Sequence, residues 1–113
     1  MNPKWRYKEF AIASQYAYEE LHKAGSDIRM LFYSGDKDAN VPTIGSVNWI
    51  ATLDRAEVEP WRAYYVDKQV AGYFWRLEGL DFATVHGAGH LVPTNQPEIA
   101  KHLLFNWIQK TTI

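Results

Sequence analysis

Residues 28–42 read Ile-Arg-Met-Leu-Phe-Tyr-Ser-Gly-Asp-Lys-Asp-Ala-Asn-Val-Pro, an apolar run that stops at a glycine and gives way to a polar loop. The apolar part, Ile28 to Ser34, is rich in strand formers and does not alternate. That predicts a strand buried on both faces. Downstream, Thr43 to Leu53 places Ile44, Val47, Ile50 and Ala51 on one helical face, with Thr43 as the expected N-cap. Pro60-Trp61 precedes two strands, Arg62 to Val66 and Val70 to Leu77, whose short Asp67-Lys68-Gln69 link marks a hairpin. Phe82 to Val85 is a second short buried strand, followed by the glycine-rich loop His86-Gly87-Ala88-Gly89-His90. Pro97 suits the first turn of a closing helix with apolar Ile99, Leu103, Phe105 and Trp107. Upstream, Glu9 to Lys23 reads as a helix with Phe10, Ala13, Tyr16, Ala17 and Leu21 at helical spacing and Gly25 as its stop.

The order is therefore helix, strand, helix, hairpin, strand, loop, helix. Strands separated by helices predict an α/β class with a parallel sheet covered on both faces. Residues 1–113 read as a single unit, but two strong strands and a hairpin make a poor sheet alone. The chain is also 47% hydrophobic and 15% aromatic, with five Trp and seven Tyr, a large apolar load for 113 residues. Both features predict one portion of a larger fold. It is expected to pair with a further segment, or to self-associate through the Ile28–Ser34 edge when isolated.

Composition removes several functions. Net charge is −1 with no basic stripe, which argues against a nucleic-acid partner. Apolar runs such as Met30 to Tyr33 are far shorter than the roughly 20 residues that span a bilayer. The chain has no cysteine, so disulfides, thiol chemistry and cysteine-based metal sites are excluded. No two of the four histidines have ligand spacing on one helix, and neither metal nor cofactor is expected.

What remains is a pair of loops. In open α/β sheets, chemistry gathers beyond the carboxyl ends of strands. Here one such loop carries Asp36 and Asp38, and the other carries His86 and His90. An acid loop followed by a histidine loop, each straight after a strand, is the tail of the Ser…Asp…His order of α/β hydrolases. Alone, an Asp-rich loop is an ordinary turn, and so is Gly-x-Gly-His. Their order and context are what carry the reading.

The segments YSGDKDANVP at 33–42 and VHGAGHLVP at 85–93 resemble the C-terminal motifs of the serine carboxypeptidases, a branch of the α/β-hydrolase fold. Pro60-Trp61, Val70 to Tyr73, Leu80 to Val85 and Thr94 to Pro97 are similar to that family's connecting stretches. The resemblance runs over roughly residues 10–110. It implies a C-terminal part of such an enzyme, with Asp38 as the catalytic acid and His90 as the catalytic base. Asp36 is then expected to organise its loop through backbone hydrogen bonds. Gly35 ends the strand, Gly87 and Gly89 turn the backbone tightly towards His90, and Pro42 and Pro93 stiffen the loop exits.

The family's Gly-x-Ser-x-Gly elbow does not occur here, since Ser14, Ser26, Ser34 and Ser46 all fail the pattern. The nucleophile is expected on an N-terminal partner segment, and this chain alone is expected to be inactive. Leu91 stands where some members carry a carboxylate-binding glutamate. The expected substrate is a peptide cut at its C-terminus, in a secretory, vacuolar or lysosomal compartment. Acyltransferase or hydroxynitrile lyase chemistry on the same triad, and a non-catalytic binding module, stay open. His22, His86 and His102 are read as structural, and Trp49, Trp61, Trp75 and Trp107 as core.

Overall fold

The computed structural model describes residues 29–39 and 43–113, together with Glu19, Glu20 and Lys23. The helix expected over 9–23 lies outside the described residues except for those three, which are helical. Ile28, Asn40, Val41 and Pro42 also lie outside them. The described elements run β1 (Leu31–Gly35), α1 (Thr43–Ala51), β2 (Glu57–Val66), β3 (Gln69–Leu77), β4 (Leu80–Val85), α2 (Val92–Asn95) and α3 (Pro97–Gln109).

The four strands form one sheet in the order β1-β4-β3-β2. β1 and β4 are parallel, with Leu31 opposite Asp81 and Gly35 opposite Val85. The β3–β4 and β2–β3 pairs are antiparallel, so the sheet is mixed, and the expectation of a parallel sheet holds for the β1–β4 pair alone. The cause is turn length. Asp67 and Lys68 bridge β2 to β3 with φ of 52° and 65°, and Gly79 bridges β3 to β4 at φ 75°. Two residues at each turn leave no chain for a crossover, so β2, β3 and β4 must meander. Between β1 and β4, by contrast, the chain is long enough to return parallel through α1 and the hairpin.

Every strand differs from expectation at a boundary, with β3 beginning one residue early at Gln69 and β4 two residues early at Leu80. β1 begins at Leu31 and includes Gly35, while β2 begins at Glu57 and takes in Pro60-Trp61. Proline cannot donate to a ladder, yet among the described residues β2 is an edge strand, and its register shifts between Glu59 and Arg62, around the ring.

All six residues of β4 are buried, as befits the strand between β1 and β3. Its side chains alternate between two cores. Ala83 and Val85 join Tyr64, Phe74, Ala100 and Leu103 beneath α3. Leu80 and Phe82 join Ile50, Leu53 and Leu77 beneath α1. Helices thus cover both faces, and each fully buried Phe or Leu contributes roughly 1.5–3 kcal/mol. Trp49, Trp75 and Trp107 pack against these cores as expected. Trp61 is 42% exposed and stacks on Tyr73, at the rim rather than in a core. Phe105, expected on the apolar face of α3, is exposed, because that face is set by Ile99, Ala100, Leu103 and Trp107 and Phe105 points some 200° around from Leu103.

Candidate functional site

The parallel register puts Gly35 and Val85 side by side, so the acid loop and the histidine loop leave the sheet at the same end. Backbone bonds then tie the loops together. Asp36 N–H donates to the Val85 carbonyl at 3.0 Å and Lys37 N–H to the Ala88 carbonyl at 2.9 Å. Such an approach demands glycine at 35. A Cβ there would run into the carbonyl oxygens of Ala88 and Gly89. Gly35 therefore does more than end a strand.

Within the second loop, Gly87 has φ of 74°, the left-handed conformation expected of a tight turn. Gly89 does not share it. Its N–H donates to Asn95 Oδ1 at 3.0 Å, so this residue fastens the loop to α2. That four-residue helix was not expected from the sequence, and Pro93 lies in its first turn rather than at a loop exit. Across the site, Thr43 opens the described part of α1. Its hydroxyl lies 3.4 Å from both the Gly35 carbonyl and Ser34 Oγ.

Asp38 and His90 meet. Asp38 Oδ2 lies 3.1 Å from His90 Nδ1, the carboxylate side chain is 6% exposed, and the imidazole is 55% exposed. A carboxylate at Nδ1 fixes the ring as the Nδ1–H tautomer and leaves Nε2 free to accept a proton. A cavity of about 150 Å³ beside the pair is lined by Tyr33, Ser34, Gly35, Asp38, His90 and Val92, among others. The arrangement can perform base catalysis on a hydroxyl presented at Nε2.

Sequence reasoning missed a second contact. Asp36 Oδ2 lies 2.8 Å from His86 Nδ1, while its Oδ1 accepts the Gly87 N–H at 2.8 Å. Asp36 was expected to bond backbone within its own loop, whereas this bond reaches Gly87 in the histidine loop, and the contact with His86 was not expected. The signal was present in the spacing, since each loop holds two members and the pairs are separated by 50 and 52 positions. Among the described residues, no group of three or more His, Asp or Glu side chains is placed to hold a metal ion. No described helix is long and apolar enough to cross a membrane.

A family model described as serine carboxypeptidase matches residues 2–110. Serine carboxypeptidase-like 26 of Oryza sativa subsp. japonica is 46% identical over 80 residues, covering 71% of this chain and 16% of that protein. Serine carboxypeptidase-like 33 of Arabidopsis thaliana is 41% identical over 101 residues, 88% of this chain and 21% of its own length. Serine carboxypeptidase 1 of Hordeum vulgare is 38% identical over 100 residues, 78% of this chain and 20% of that protein. The chain spans less than a quarter of the length of these relatives.

Proposed function

The chain belongs to the serine carboxypeptidase family, and from that membership we propose that it supplies the acid and the histidine of a Ser–Asp–His triad that removes C-terminal residues from peptides. The nucleophilic serine comes from an N-terminal segment carrying a Gly-x-Ser-x-Gly elbow, the site's partner. His90 Nε2 takes the serine proton as the serine oxygen attacks the scissile carbonyl, then passes it to the leaving amine. Water releases the acyl group in a second cycle of the same base. Asp38 holds the ring orientation and stabilises the imidazolium. The observation that carries this reading is the 3.1 Å contact between a nearly enclosed Asp38 and a half-exposed His90. A secretory, vacuolar or lysosomal setting accompanies it.

Shape supports such a partner as well as chemistry. Among the described residues β1 is paired on one side only, and Tyr33 on it is 37% exposed. A second segment pairing at that edge would complete the sheet and bring the serine to His90.

The test is reconstitution with an elbow-bearing segment of a family member, assayed on an amino-blocked dipeptide with a free C-terminus. The chain alone should show neither turnover nor labelling by a serine-directed phosphonate. Mixed, the two should co-sediment and cleave, and Asp38→Asn or His90→Ala should lower kcat by about 10⁴-fold. Phosphonate labelling of the lone chain, or a mixture indifferent to His90→Ala, overturns the proposal.

A further inference from the structure

The two Asp–His contacts are not equivalent, and their inequality assigns them different work. Asp38 is 6% exposed at its side chain, whereas Asp36 and His86 are 37% and 68% exposed. An exposed pair of this kind adds little to stability. Yet Asp36 is engaged through both oxygens, one to the His86 ring and one to the Gly87 backbone, so it grips the histidine loop at two adjacent residues. The Lys37 N–H to Ala88 carbonyl bond extends the same grip by one residue. Asp38 follows directly on one side and His90 shortly after on the other.

We infer that Asp36 and His86 form a positioning clasp that sets the Asp38–His90 pair, an inference that rests on the reading of that pair as the acid and base. The clasp acts in two ways. It fixes the separation of the loops, and with it the 3.1 Å between Asp38 Oδ2 and His90 Nδ1. It also resolves a pairing ambiguity. Two carboxylates two residues apart face two imidazoles four residues apart, and either acid could approach His90. With both Asp36 oxygens turned to His86 Nδ1 and Gly87 N–H, Asp38 is the acid that reaches His90 and orients the base. Neither Asp36 nor His86 contacts substrate in this scheme. Both act through Asp38 and His90.

The ring-nitrogen NMR signals of His90 in the 113-residue chain, read near about pH 8 where imidazoles are ordinarily neutral, report the tautomer and the exchange of the Nδ1 proton. The unsubstituted chain should hold His90 as the Nδ1–H tautomer with a slowly exchanging proton. His86→Leu should speed that exchange by roughly tenfold or more and mix in the Nε2–H tautomer. His86→Asn, whose amide N–H falls close to the place of Nδ1, should restore the original signal. Because His86 is exposed, neither change should alter the melting temperature appreciably. An unchanged His90 signal in His86→Leu, with Asp38→Asn abolishing it, overturns the clasp and leaves the Asp38–His90 pair intact. A His90 signal indifferent to Asp38→Asn overturns the underlying pair instead.

Discussion

Single residues away from the loops decide whether the sheet end can exist at all. Tyr64 is buried to 1% exposure and donates its phenol to the Thr84 carbonyl at 2.6 Å, one residue before β4 ends. Opposite it in the ladder stands Gly72, where a Cβ would collide with that same carbonyl and crowd the Tyr64 ring. The ring thus lies over a glycine gap and braces the strand that delivers the histidine loop. Tyr64→Phe should cost about 1 kcal/mol by loss of the bond. Burial also pushes the Tyr64 phenol up from its ordinary value near 10. The folded state then keeps a proton that the unfolded chain releases, so stability is full below about pH 10 and falls as pH rises beyond it. Urea unfolding across pH 9–11, about the ordinary tyrosine range, should give a steeper alkaline decline for the unsubstituted chain than for Tyr64→Phe; parallel declines would refute this. Nothing in the pattern of β2 distinguishes Tyr64 from Tyr65, which is 56% exposed. Loop position and order brought out the two loops, and the family resemblance singled out Asp38 and His90 within them. Asp36 and His86 were half hidden because each, taken alone, is an ordinary turn residue.

At the scale of elements, local chemistry was a good guide wherever it acted locally. The hairpin, the two loops and the start of α3 at Pro97 follow from turn residues and apolar spacing. The sheet's mixed character did not, because it depends on Glu78-Gly79 being a turn so tight that β3 and β4 must be antiparallel neighbours. The first turn of the meander carries its own cost. Lys68 sits at φ 65° with a full side chain, a conformation that disfavours any residue with a Cβ. Lys68→Gly should therefore stabilise the chain, by about 0.5–1 kcal/mol. Thermal unfolding measures it, and a lower melting temperature would show that Lys68 contributes more than its backbone costs.

Over the whole molecule, the same topology separates contacts that are near in sequence from one that is far. Val66 meets Gln69 and Leu77 meets Leu80 across two-residue turns, whereas Gly35 meets Val85 only after 85 − 35 = 50 positions. Closing the longer loop carries the larger entropic cost, and nothing repays it until β4 is in place as a template. Assembly is thus expected to run in time from the meander outward, with β1 docking last. Phe32, which stacks on Phe82 at 5.8 Å, then belongs to the late phase. Phe32→Leu should speed unfolding and leave refolding nearly unchanged, while Phe74→Leu in β3 should slow refolding; stopped-flow kinetics showing the reverse would sink this order. Since the juxtaposition of Asp38 and His90 needs the β1–β4 pairing, the chemistry-bearing end is the final event of the folding clock. Partly folded chains would carry a finished hairpin and no Asp38–His90 contact.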